Sequence, residues 1–172
     1  DGIVRFTQSV APNRFADLIA INALYRPGAL DADTAKYYPK WKHKPRKIHP
    51  LYDDVLNDTF GIIVYQEQFI ELYARATGVD FGGADVVRRT ISKRSGHDTP
   101  EWAIELAKLH QTFVDGSVER GVPEAAAEKV WTEIVAHTRY SFNKSHATAY
   151  AMIAWQMAWF KYHYPIHFFT AL

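Results

Sequence analysis

Phe142-Asn143-Lys144-Ser145-His146 stands directly before Ala147 to Phe160, a run that is apolar on nearly every side. A run without a polar face belongs in a protein interior. The expected fold is therefore built around a buried helix near 145–163, with Ser145 as its cap. Polar residues packed at the entrance of such a helix have to find partners. Helix N-termini present free N–H groups and a partial positive charge, which suit anions such as phosphate. Anion recognition is the functional reading; a capped helix with solvated polar residues is the bland one.

The rest of the chain reads as further helices. Asn13 can cap a helix from Arg14 to about Tyr25, ended by Arg26-Pro27-Gly28. Residues 31–50 read as a long basic loop, because Pro39, Pro45 and Pro50 argue against a continuous helix. A short helix covers Leu51 to Leu56. Tyr65-Gln66-Glu67-Gln68 opens a helix to about Thr77, stopped by Gly78. Gly82-Gly83 breaks the chain, and the next helix begins at Ala84 or Asp85. Ser95 to Asp98 is a loop. Thr99-Pro100-Glu101 is a strong start signal for a helix to about Arg120. Pro123-Glu124 starts another that reaches His137 or Thr138. The fold class is all-α, in a single helical domain over 1–172.

Composition narrows the function classes. Of 172 residues, 48% are hydrophobic, enough for a core and against disorder. Cysteine is absent, so disulfides and thiolate metal sites are excluded, which fits a cytoplasmic location. No segment reads as a signal peptide, and the apolar run at 147–160 is shorter than a membrane span needs, so no membrane partner is expected. The chain opens on Asp1 and closes on an apolar tail, which reads as a piece of something longer. Net charge is +1, so nucleic acid would have to be bound by local patches. One such patch is Lys36, Lys40, Lys42, Lys44, Arg46 and Lys47, without an acid among them; the competing reading is a solvated face.

Arg88 and Arg89 lie about 100° apart on a helix and can grip two sides of a polyphosphate, with Lys93 one turn on. Arginine suits this because its planar fork makes paired hydrogen bonds to phosphate oxygens. Asp85 lies one turn before Arg89 and can brace its guanidinium. The competing reading is surface ion pairing. Lys144, Ser145 and His146 can add a charge, a hydroxyl and a titratable donor to the same anion. Tyr150, one turn after His146, can stack on a base, although its spacing alone favours a core aromatic. The carboxylate pairs Asp53–Asp54, Asp31–Asp33 and Glu67–Glu71 lack an evident third ligand, so no metal site is expected. His163 and His167 have zinc-like spacing, but Pro165 separates them.

Read in order, these motifs resemble one family. Phe15-Ala16-Asp17-Leu18-Ile19-Ala20 leads to Ala23-Leu24-Tyr25-Arg26-Pro27-Gly28. Then come Thr59-Phe60-Gly61-Ile62-Ile63-Val64 with Tyr65 to Gln68, Gly83 to Arg89, and Phe142 to Ala147 with Ala149-Tyr150. Lys161-Tyr162-His163-Tyr164-Pro165 closes the series. The pattern, from about Phe6 to Leu172, resembles the fingers region of the bacterial DNA polymerase III alpha subunit, the C-family replicative polymerases. The resemblance implies template-directed addition of deoxynucleotides to a primer, with the fingers contacting template-primer DNA, deoxynucleoside triphosphates and the other polymerase domains. It implies that Arg88, Arg89, Lys93, Asn143, Lys144, Ser145, His146 and Tyr150 face the nucleotide. Tyr65, Gln66, Glu67, Gln68 and Asp85 would brace the site. DNA would meet Lys40, Lys42, Lys44, Arg46 and Lys47. Magnesium ions would be held by palm carboxylates outside this stretch, so no cofactor is expected here and the piece alone is expected to be inactive. Thr90-Ile91-Ser92-Lys93-Arg94 departs from the family's usual Ala-Met and Gly-Lys-Lys, as in a distant relative. A non-catalytic helical DNA-binding module is the alternative function.

Overall fold

A computed structural model describes residues 2–26, 29–30, 34–94, 99–138 and 141–172, without the side chains of Lys93 and Arg94. The helix stop at Pro27-Gly28, the start of the basic loop at 31–33 and the loop at 95–98 lie outside the described residues. The described residues are helical, with no strand among them: α1 is Gly2–Val10, α2 Phe15–Leu24, α3 Thr34–His43, α4 Pro50–Leu56 and α5 Gln66–Thr77. Then follow α6 Phe81–Arg94, α7 Pro100–Glu119, α8 Glu124–Thr138, α9 Lys144–His163 and α10 Pro165–Thr170. The all-α reading holds. Among the described residues no helix is long and apolar enough to cross a membrane.

Two hydrophobic cores organise these helices. The first gathers α4 to α8 around α5, with Leu56, Phe69, Leu72, Tyr73, Phe113 and Trp131 buried in it. Its centre is aromatic: the Phe113 ring lies 6.1 Å from Tyr52, 6.1 Å from Tyr73 and 5.5 Å from Trp131. Offset and tilted ring pairs at such distances add to plain area burial. Gly116 of α7 faces the Ala76 carbonyl, and any Cβ there would collide with it. Glycine at this position lets α5 and α7 approach closely.

The second core joins α1, α2, α3 and the start of α9 through Val10, Ala20, Leu24, Tyr38, Ala147 and Ala151. An extended segment threads between the two cores. Ile63 points into the first, while Ile62 and Val64 belong to the second, the alternation of an extended chain. The segment opens on a tight reversal, with Phe60 at φ 59° and Gly61 at φ 88°. A Cβ on Gly61 would sit 2.5 Å from the Arg46 carbonyl oxygen, so the position requires glycine.

Two boundaries differ from the sequence reading. Residues 34–43 are helical despite Pro39, not part of a loop. Proline costs a helix interior about 3 kcal/mol, and tertiary packing offsets it here: Tyr38 is buried edge-on against Phe60, with ring centroids 5.4 Å apart. α6 begins at Phe81 and carries Gly82 and Gly83 inside its first turn. Asp80 holds that turn by accepting the Gly83 N–H at 2.7 Å.

The larger correction concerns α9. It spans Lys144–His163, but only Ala147 and Ala151 are buried. These two small residues sit one turn apart and let α9 lie close against α2. Beyond them the helix is exposed on its apolar sides, including Ile153, Trp155 and Phe160, as are Ile166 and Phe169 of α10. The fold is not built around this helix. The helix lies along its edge.

Candidate functional site

Two distant segments of sequence meet at the head of α9. Tyr65 and Phe142 form an isolated parallel bridge, in which the Gln66 N–H donates to the Phe142 carbonyl at 3.0 Å. The Gln66 side chain adds a bond to the Ser141 carbonyl at 3.3 Å. Gln68 turns inward instead. Its Oε1 accepts the Val64 and Tyr65 N–H groups at 2.8 and 3.0 Å, and its Nε2 donates to Thr59 Oγ1 at 2.7 Å. Tyr65 is buried, and burial pushes its phenol well above the ordinary range. Each residue of this motif thus fixes backbone at the junction of the two cores.

Glu67 completes the junction. Both carboxylate oxygens lie 3.1 Å from the Lys144 N–H, and Oε1 accepts Asn143 Nδ2 at 3.0 Å. Asn143 in turn accepts the His146 N–H at 2.9 Å, so Asn143 and not Ser145 caps α9. The positive end of the helix is therefore already filled by a carboxylate, which is electrostatically favourable there. The open anion site expected from the sequence is not present at this helix end.

What the head of α9 does present is side chains. Lys144 Nζ lies 3.8 Å from Asp58 Oδ2 and above the Tyr65 ring at 5.5 Å. Ser145 is exposed. The His146 ring sits 5.1 Å from Phe142 and 4.6 Å from Tyr150. Arg26 lies over the other end of this row, 4.0 Å from the Phe142 centroid. Tyr150 is 55% exposed, so it is not the core aromatic its spacing favoured. Asn22, Phe142, His146 and Tyr150 border a concavity of about 200 Å³.

The arginine pair belongs to the other core. Asp85 takes both: Arg88 Nε donates to one carboxylate oxygen at 2.8 Å and Arg89 Nε to the other at 2.8 Å. Hydrogen bonds from Arg89 and Arg88 hold the Asp85 carboxyl below its usual range. The side chains differ in access, 15% for Arg88 against 61% for Arg89. Arg89 therefore faces solvent, while Arg88 is a half-hidden partner on the same carboxylate. Lys93's side chain lies outside the described residues. No hydrogen bond or ion pair links Arg88 or Arg89 to residues 143–146 among the described residues.

The basic stretch divides in two. Lys40, Lys44 and Lys47 are exposed. Lys42 instead reaches Asp17 Oδ2 at 2.7 Å and the Val10 and Ala11 carbonyls at 3.1 and 2.7 Å. Asp17 is fully buried. It also accepts Arg14 at 3.1 Å, Tyr38 Oη at 3.3 Å, and the backbone N–H groups of Asn13 and Arg14. Burial raises the Asp17 carboxyl, but the bonds from Lys42, Asn13 and Arg14 outweigh it and hold the group below its ordinary value. Arg46 pairs with Glu133 at 2.8 Å. Lys42 and Arg46 thus tie the structure together through these ion pairs and are less exposed than the other three. Sequence reading missed the Asp17 cluster; the signal for it was an acid three residues into a helix, the capping position.

Among the described residues no three His, Asp or Glu side chains gather where a metal ion would sit. Asp31 and Asp33 lie outside the described residues, and the other acids considered in sequence have partners of their own. Asp53 accepts the Ile48 N–H at 2.8 Å, and Arg75 joins Asp54 at 2.9 Å and Glu71 at 2.6 Å. The described residues offer no cluster that fits a magnesium centre.

Similarity to known proteins agrees with the motifs. Residues 1–121 match the family described as the bacterial DNA polymerase III alpha subunit finger domain. The DNA polymerase III subunit alpha of Halalkalibacterium halodurans is 40% identical over 174 residues, covering 99% of this chain and 15% of that protein. The same subunit of Campylobacter jejuni is 40% identical over 174 residues, covering 99% of this chain and 14% of that protein. That of Aquifex aeolicus is 37% identical over 172 residues, covering 98% of this chain and 14% of that protein. The chain thus spans only 14–15% of the length of these curated relatives. By these matches the chain belongs to the finger domain family of the bacterial DNA polymerase III alpha subunit.

Proposed function

We propose that this finger domain receives the incoming deoxynucleoside triphosphate and guides template-primer DNA in template-directed DNA synthesis. The observation that carries the reading is the Asp85 bracket. One carboxylate holds two guanidinium groups in place and leaves Arg89 open to solvent. A guanidinium fixed before the ligand arrives loses little freedom on binding, and its fork matches phosphate oxygens. Arg89, Arg88 and Lys93 are assigned to the triphosphate. The exposed row of Lys144, Ser145, His146 and Tyr150 is assigned to the nucleotide on the side of the second core. Tyr65, Gln66, Glu67 and Gln68 brace that row through the contacts at the head of α9. Lys40, Lys44 and Lys47 remain candidates for DNA phosphates.

Magnesium ions, where the reaction uses them, supply charge to the phosphates, and we place their ligands outside this chain. The chain alone is accordingly expected to be inactive. The exposed apolar sides of α9 and α10 are assigned to the other polymerase domains, because such a face costs free energy in water.

Photo-crosslinking the full-length polymerase with a photoreactive deoxynucleoside triphosphate tests the assignment. Label is expected in peptides from residues 81–94 and 144–150, and to be competed by unmodified nucleotide. Competed label confined to other parts of the polymerase would overturn it.

A further inference from the structure

Residues 34–50 carry no acid, and the outer side of α3 sorts its side chains into two rows. Lys36, Lys40 and Lys44 recur every four residues, which stacks them one turn apart along the helix. The Lys44 N–H donates to the Lys40 carbonyl at 3.4 Å, so the spacing holds one residue beyond the end of α3. Tyr37 and Trp41 form a second row at the same spacing, one position on. The inner side of the helix is different. Ala35 and Tyr38 are buried in the second core, and Lys42 turns to Asp17.

Both outer rows are accessible. Lys36, Lys40 and Lys44 are exposed, and none of them joins an ion pair among the described residues. Tyr37 is 39% exposed. Its ring stacks on Trp41 with centroids 5.1 Å apart and an interplanar angle of 18°. Arg46 lies 5.3 Å from the Trp41 centroid and is itself neutralised by Glu133 at 2.8 Å. Tyr37 and Trp41 also border a concavity of about 190 Å³, so the fold does not close over them.

A surface ring beside unpaired cations suits a ligand that brings both a flat face and closely spaced negative charge. A nucleic-acid strand brings both, but only an unpaired base offers its face to a side chain. A duplex presents its phosphates and keeps its base faces stacked on one another. Lys40 and Lys44 stand about 6 Å apart along the helix axis, within reach of neighbouring phosphates of one strand. We propose that the outer side of α3 binds single-stranded DNA, with an unpaired base stacked on Tyr37 and the flanking phosphates on Lys36, Lys40 and Lys44. Trp41 backs the Tyr37 ring and holds it for the base. The inference rests on the assignment of this basic stretch to DNA phosphates, and it narrows that assignment to an unpaired strand.

The test uses the full-length polymerase and an oligothymidylate carrying one 5-iododeoxyuridine, which on irradiation joins to aromatic side chains beside it. Label is expected at Tyr37. Affinity for unmodified oligothymidylate should fall at least about fivefold in Tyr37→Ala and be retained in Tyr37→Phe. Affinity for blunt duplex should stay unchanged in both. Lys36→Gln, Lys40→Gln and Lys44→Gln together should weaken binding of both DNAs and flatten its salt dependence. DNA affinity unaltered by the three lysine substitutions would overturn the phosphate assignment and this inference with it. If the lysines matter, three results would each overturn the inference alone: no label at Tyr37, oligothymidylate affinity unchanged in Tyr37→Ala, or an equal loss of duplex affinity in that variant.

Discussion

Glu67 closes the amino end of the helix that begins at Lys144: both carboxylate oxygens stand 3.1 Å from the Lys144 N–H. This contact joins α5 to α9 across 77 positions of sequence. Glu67→Ala would leave the Lys144 N–H and the Asn143 amide without this acceptor. The expected cost is about 1–2 kcal/mol, with a smaller loss for Glu67→Gln, which keeps one acceptor oxygen. Urea denaturation measures it, and amide exchange at Lys144 should accelerate in Glu67→Ala. A variant as stable as the wild type would show that the contact does not secure α9.

Lys42 and its exposed neighbours should behave differently. Lys42→Ala removes the closest cation from the buried Asp17 carboxylate, which keeps Arg14, Tyr38 and two backbone N–H groups, and the expected cost is about 1.5–3 kcal/mol. Lys40→Ala, Lys44→Ala and Lys47→Ala should each change stability by less than about 0.5 kcal/mol. The exposed set should instead flatten the salt dependence of DNA binding. Thermal unfolding and DNA titrations at several salt concentrations distinguish the two groups. Equal destabilisation by Lys40→Ala and Lys42→Ala would remove the distinction.

Much of this arrangement was legible in sequence, and the illegible part has physical causes. α5 starts at Gln66 and is stopped by Gly78 at φ 79°, as its glycine implied. Thr99 accepts the Trp102 N–H at 3.3 Å, so the start of α7 was written in its capping residues. Asp85 and Arg89 stand four apart, and their pairing followed from helical spacing. The helix through Pro39 was hidden because its support is tertiary: Tyr38 packs on Phe60 and Lys42 reaches Asp17. The closure of α9 by Glu67 was hidden for the same reason, since no local pattern links residues so far apart. The exposure of α9 misled because an apolar surface marks what a helix is suited to pack against, not what this chain provides to cover it.

His137 makes stability depend on pH. Its folded-state pKa of about 4 lies below the ordinary 6.5, so the unfolded chain takes up a proton first as pH falls. The stabilisation is complete above about pH 6.5 and is lost progressively as pH drops towards 4. The shift corresponds to about 3 kcal/mol over that window. Denaturation at pH 7.5, 5.5 and 4.5 should show this decline, and His137→Phe should be flatter there. At neutral pH the Phe variant loses an unpaired buried nitrogen but also the hydrogen bond with the Val64 backbone, so its stability should stay within about 1–2 kcal/mol of the wild type. An identical decline in both proteins would assign the pH dependence elsewhere.

Asp85 should matter through its arginines. Asp85→Ala frees both guanidinium groups from their shared acceptor, and the loss of preorganisation should weaken nucleotide use more than the added positive charge strengthens it. The check is the nucleotide concentration at half-maximal incorporation by the full-length polymerase, which should rise in Asp85→Ala. A lower value would mean that Asp85 restrains the arginines without positioning them.

The assignment of Arg89 to the triphosphate is tested most directly by single-turnover incorporation across nucleotide concentrations, in the full-length polymerase carrying Arg89→Ala. Loss of a charge-assisted bond of about 1.5–3 kcal/mol predicts an apparent nucleotide affinity at least about tenfold weaker. Primer-template affinity should stay unchanged. Unaltered nucleotide affinity in that variant would contradict the account.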